Sequence, residues 1–102
     1  MIKIKINGDE VINSIEIKGH ANYDELGKDI VCASVSSIAI TTVNALLKLD
    51  KDITYKEDQG YLLITINSHD EVVDKLIDNM ISLLMELEKQ YKNNIKIGRC
   101  HL

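Results

Sequence analysis

The 102-residue chain is 45% hydrophobic and 27% charged, with a net charge of −4. That length holds one domain around one core, residues 1–102. The acidic balance argues against a nucleic-acid binder, which needs a basic patch with interleaved aromatics. Phe, Trp and Pro are absent, so aliphatic side chains must build the core and Gly, Asn and Asp must make the turns.

Ile2, Ile4 and Ile6 alternate with Lys3 and Lys5, the period of a half-buried strand. Asn7-Gly8-Asp9 then turns the chain into a second strand from Val11 to Lys18. Asp29 to about Leu49 contains no breaker and reads as a long helix, with Asp29 as N-cap or first-turn acid. Short strands follow at Asp52–Lys56 and Tyr61–Asn67, joined by Glu57-Asp58-Gln59-Gly60. Ser68-His69-Asp70-Glu71 has the form of a capping box with Ser68 at the cap. It opens a helix whose apolar face runs through Val72, Val73, Leu76, Ile77, Met80, Leu84 and Leu87. Asn93-Asn94 ends it, and Ile95 and Ile97 begin a last strand. The order ββαββαβ predicts an α+β single domain, with two helices packed on one mostly antiparallel sheet. The first helix carries two apolar stripes. One contains Cys32, Ala33, Ile40, Val43 and Leu47; the other contains Val31, Val35, Ile38, Ala45, Leu46 and Leu49. A surface helix needs only one, so the second is expected to face the other helix or another copy of the chain.

No signal peptide, lipidation motif or long apolar segment is read in the sequence, so a cytoplasmic protein off the membrane is expected. Its thiols would stay reduced there, without a structural disulfide. The cysteines are Cys32 and Cys100, and no C-x-x-C or H-x-x-x-H pair is present. Neither a metal nor another cofactor is expected on that spacing.

Chemistry concentrates between Gly19 and Ser36. His20 leaves the end of the second strand, a loop bounded by Gly19 and Gly27 follows, and Cys32 lies in the first helical turn. Unpaired N–H groups and the partial positive charge of a helix N-terminus favour thiolate over thiol. A buried structural cysteine among Ile30, Val31 and Ala33 is the plain alternative. His20, between small neighbours, is the candidate base for Cys32. Asp29 and Ser36 fall on the same helix face, one turn to either side of the cysteine. Asp29 is assigned capping and orientation rather than base chemistry, because a close carboxylate opposes thiolate formation. The helix-start N–H groups, with Ser36, are the expected oxyanion donors. The loop from Ala21 to Lys28 reads as a gate hinged at Gly19 and Gly27. Tyr23 and Leu26 are its candidates for covering an apolar substrate side chain, and Asp24 and Glu25 for attracting a basic one.

The blocks G-H-A (Gly19–Ala21), Gly27 and D-I-V-C-A-S-V-S (Asp29–Ser36) resemble the signature of the bacterial ribosomal-processing cysteine proteases, the Prp family. Length and element order fit along essentially the whole chain. The resemblance implies a cytoplasmic cysteine endopeptidase acting as a homodimer. Its substrate would be a large-subunit ribosomal protein (number twenty-seven), cut after a pair of aromatic residues to remove an N-terminal extension. Carried over, Cys32 is the nucleophile, His20 the base, Asp29 and Ser36 supporting residues, and Gly19 and Gly27 the bounds of a mobile loop. Ser34 replaces a second alanine common in the family and points away from Cys32 by the helix count. Two other classes remain open at this stage: a non-catalytic ribosome-associated binding module and a thiol-redox protein.

Overall fold

Isoleucine at every second position commits the N-terminal segment to a strand with one buried face. Ile2, Ile4 and Ile6 are buried while Lys3 and Lys5 are exposed. In the computed structural model, which describes residues 1–25 and 29–100, this strand is β1 (Ile2–Gly8). It is followed by β2 (Ile12–Lys18), α1 (Ile30–Lys48), β3 (Ile53–Asp58), β4 (Tyr61–Ile66), α2 (Glu71–Gln90) and β5 (Ile95–Cys100). The five strands form one sheet in the order β3-β4-β2-β1-β5. Every neighbouring pair is antiparallel except β1 and β5, which run parallel. The α+β order and the mostly antiparallel sheet are therefore as the sequence predicts.

Register puts the buried isoleucines of β1, β2 and β4 on one side, while Leu63 stands beside Glu16 on the other. Ile4 stands beside Ile17, Ile6 beside Ile15, and Ile15 beside Ile64, and each of these is buried. The two helices cover that face, with Val31, Val35, Ala39, Val43 and Leu46 from α1 and Val73, Ile77, Met80 and Leu84 from α2 inside the core. The opposite face is bare and carries Lys3, Lys5, Lys18 and Lys96.

Three sequence expectations need correction. The cap of α2 is Asp70, not Ser68: its carboxylate accepts the Val73 N–H at 2.8 Å and pairs with Lys51 at 2.8 Å. A charged acceptor at the positive helix end, held by its own cation, outcompetes a neutral hydroxyl. The second α1 stripe is largely core. Val31 is wholly buried and Ile38 and Ala45 are half-buried, leaving Leu49 exposed. Nor is a long apolar segment missing. Ile30–Lys48 is long and apolar enough to cross a membrane by length and composition, although here it lies on the sheet.

Leu46 is fully buried under α1. Leu46→Ala is expected to cost about 2–5 kcal/mol in a urea titration, the usual range for a cavity of that size in a core. Glu86→Gln on the exposed side of α2 should stay within about 0.5 kcal/mol.

Candidate active site

Asp29 joins the segment after β2 to the start of α1. Its Oδ1 accepts the N–H groups of Val31 at 2.9 Å and Cys32 at 3.0 Å, which caps the helix. Its Oδ2 accepts the N–H groups of Tyr23 at 2.9 Å and Asp24 at 3.4 Å. Burial by itself would raise the Asp29 carboxyl, but the hydrogen bonds from Cys32, Tyr23, Asp24 and Val31 outweigh it and hold it below the usual carboxylate range. One consequence corrects the sequence reading: Val31 and Cys32 already donate to Asp29, and the Ala33 N–H donates to the Asp29 carbonyl at 3.1 Å. These helix-start groups are not free to receive an oxyanion.

The Cys32 sulfur instead meets the other side of the loop. Ala21 N–H donates to Cys32 Sγ at 3.2 Å, and Ala21 itself is buried. His20 is thus covalently joined to the residue that contacts the sulfur. Both His20 and Cys32 line one cleft of about 260 Å³ between the first turns of α1 and the β3–β4 hairpin. Ile17, Val35, Ala39 and Leu62 give it an apolar floor, while Glu57, Asp58 and Gln59 form a polar rim. Ser36 also lines it, one turn beyond Cys32.

Two glycines set the position of the histidine. Gly19 has φ +100°, and a Cβ there would lie 2.5 Å from the Met1 carbonyl oxygen. Its N–H donates to the Gly60 carbonyl at 2.9 Å, tying the end of β2 to the hairpin turn. Gly60, at φ +68°, gives its missing side chain's space to the imidazole: a Cβ would come within 2.9 Å of His20 Nε2. Backbone geometry accounts for both residues.

The other candidates fall elsewhere. Tyr23, Asp24 and Glu25 are exposed and outside the cleft lining. The Tyr23 ring packs edge-on against Tyr91, with centroids 5.4 Å apart. Leu26, Gly27 and Lys28 lie outside the described residues. Ser34 Oγ donates to the Ile30 carbonyl at 2.6 Å, along the helix and away from the cleft. Cys100 pairs in register with Asn7, at the other end of β1 from the cleft-lining Ile2. At about 3.3 Å per residue that separates the two cysteines by the length of a strand, and both thiols are free. Among the described residues, no group of three or more His, Cys, Asp and Glu is placed to share a metal ion.

The model of the cysteine protease Prp family matches residues 1–96. The chain belongs to the Prp cysteine protease family. It is 34% identical over 102 residues to the ribosomal processing cysteine protease Prp of Bacillus subtilis, covering 92% of this chain and 91% of that one. The Staphylococcus aureus Prp is 28% identical over 101 residues, 95% of each chain. Among solved structures, the S. aureus Prp with a covalently linked product peptide superposes with a TM-score of 0.91 at 25% identity. It covers 98% of this chain and 100% of that one. SMU.848 of Streptococcus mutans gives 0.87 at 28% identity, over 100% and 96% of the two chains.

Sequence reasoning overlooked the hairpin wall of this Prp cleft, Glu57–Gly60, and the residues that steady Ala21 from behind. The motif spans one contiguous segment, whereas the wall arrives from β3 and β4 through strand pairing. The turn signal Asp58-Gln59-Gly60 was legible, but nothing local aims it at His20.

Asp29→Ala removes an acceptor for four N–H groups and is expected to cost at least about 1–2 kcal/mol at pH 7. The folded carboxyl titrates below the unfolded one, so its stabilisation is complete above a pH of about 4 and fades as pH falls through the lower folded value. Wild-type and Asp29→Ala stabilities, measured by urea titration from pH 7 to pH 2, should therefore converge at the acid end.

Proposed function

We propose that this chain is a cysteine endopeptidase of the ribosomal-processing type. It would remove an N-terminal extension from the large-subunit ribosomal protein numbered twenty-seven, cutting after a pair of aromatic residues. The observation that carries the reading is one cleft, in a Prp-family chain, lined by both His20 and Cys32. The ribosomal processing role named for the B. subtilis and S. aureus relatives supports the substrate. The product peptide covalently linked in the S. aureus structure supports a covalent intermediate.

In this mechanism the Cys32 thiolate attacks the scissile carbonyl carbon and forms a C–S bond. The tetrahedral adduct collapses with loss of the C–N bond, and His20 gives its proton to the departing amine. Water then loses a proton to the same imidazole and attacks the thioester, releasing the acid and restoring the thiol. Ser36 Oγ, on the cleft wall one turn past the sulfur, is the side-chain donor we assign to the oxyanion. The apolar floor at Ile17, Val35 and Leu62 accommodates an aromatic side chain, and the carboxylates of Glu57 and Asp58 suit a basic polypeptide. The reaction belongs in the cytoplasm, where a free thiol persists.

We also propose a homodimer formed through the outer side of α1. Ile30, Ala33, Ser37, Thr41 and Asn44 are exposed along it without one charge, and Ile30 is 53% exposed. In a chain that is 27% charged, four turns of uncharged surface suit a second copy of the same helix. Sedimentation at micromolar concentration should show a dimer, and Ser37→Arg should shift it to monomer. A wild-type monomer at that concentration contradicts the proposal.

Purified Cys32→Ala should fail to trim the extended ribosomal protein, read by intact mass, while keeping its fold. His20→Ala should lower the maximal rate by about 10²–10⁴, and Cys100→Ser should leave it unchanged. Retained trimming by Cys32→Ala contradicts the assignment. Equal loss in Cys100→Ser would point to the thiol pair of a redox protein instead.

A further inference from the structure

At the sequence level Asn94 only ends the second helix, yet its side chain reaches the catalytic segment from the far end of the chain. Asn94 Nδ2 donates to the Ala21 carbonyl at 2.9 Å. The residue is half-buried and is itself held on both sides. Its N–H donates to the Tyr91 carbonyl at 2.9 Å, and its carbonyl accepts the Ile2 N–H at 2.8 Å. The donor is therefore fixed to the end of α2 and the start of β1, two parts of the rigid core.

Ala21 is the residue whose N–H donates to Cys32 Sγ at 3.2 Å. The neighbouring helix-start donors cannot substitute for it, since Val31 and Cys32 are engaged by the Asp29 carboxylate. That carboxylate is bonded to the Cys32 N–H, and a negative charge there does not favour a thiolate. A hydrogen bond to the charged sulfur works in the opposite direction. Its aim depends on the Ala21 backbone, and the very next residue, Asn22, sits at φ +57°. Asparagine tolerates that left-handed turn, which bends the chain directly after Ala21 and leaves the Ala21 carbonyl to be held from outside the segment, by Asn94.

We propose that Asn94 is a positioning residue for the nucleophile. By gripping the Ala21 carbonyl, its amide aims the Ala21 N–H at Cys32 and keeps the sulfur reactive as a thiolate. This rests on the reading of Cys32 as nucleophile, but it is read out on the thiol itself and needs no substrate.

The test is the rate of Cys32 alkylation by iodoacetamide from pH 6 to pH 10, in a Cys100→Ser background. Asn94→Leu removes the donor at similar size. Asn94→Asp keeps the shape but offers only acceptors, and it serves if the leucine variant does not fold. Either variant should react about tenfold more slowly at pH 7, the loss expected for one hydrogen bond to a charged group. The gap should close at alkaline pH, where every thiol is ionised. The same loss should persist when Asn94→Leu is combined with His20→Ala, because the effect runs through the Ala21 N–H and not the imidazole. An unchanged rate in a folded variant overturns the proposal. So does a loss that is equal at all pH values, which reports altered access, or one that vanishes without His20. Peptide cleavage by Cys32→Ala tests the underlying reading separately: retained cleavage there refutes the nucleophile without altering the thiol result.

Discussion

One carboxylate organises the active segment. Asp29 accepts four backbone N–H groups, two from the first turn of α1 and two from the loop that precedes it. Without it, the helix would open on unpaired donors and the loop would lose its hold at Tyr23 and Asp24. Its ionised state is secured by those same bonds, which overcome the cost of burial. The arrangement has a consequence for reactivity. A cysteine in a first helical turn ordinarily gains from free N–H groups around it, and here they are already committed. What the helix start withholds, Ala21 supplies across the loop.

The sheet fixes everything on which that segment rests. β2 ends at Lys18, and the next two residues carry the chain to the cleft. The Gly19–Gly60 backbone bond ties this exit to the β3–β4 turn, so the histidine stands between an outer hairpin and the first helix. Parallel pairing of β1 with β5 brings Asn94, which immediately precedes β5, beside the start of β1. A contact between residues 21 and 94 thus follows from topology: because β5 runs parallel to β1, its start, and Asn94 just before it, lies at the end of the sheet where the cleft opens. α1 serves twice, filling the core with Val31, Val35 and Leu46 while Cys32 and Ser36 reach the cleft.

Much of this was legible in the residues. Isoleucine alternation, the Asn7-Gly8 turn and the apolar period of α2 each specify an element through purely local chemistry, and the element order follows. Asp29 was legible as a cap for the same reason. Features set by distant pairing were not. The roles of Gly60 beside His20 and of Asn94 behind Ala21 depend on register between strands far apart in sequence, and neither residue differs locally from an ordinary turn or helix stop. Which partner the second α1 stripe meets stayed open because two apolar stripes cannot be ranked until it is known which one meets the sheet. Asp70 displaced Ser68 as cap because Lys51, nineteen positions earlier, lies beside it.

The account stands on covalent chemistry at one sulfur. The most direct measurement is peptide mapping by mass spectrometry after rapid acid quenching of the protein with a peptide spanning the cleavage site. The account predicts a transient acyl adduct on the peptide containing Cys32, at the mass of the amino-terminal product joined as a thioester. Cleavage that proceeds with no adduct on Cys32 under any quench time, or with the adduct on Cys100, would contradict it.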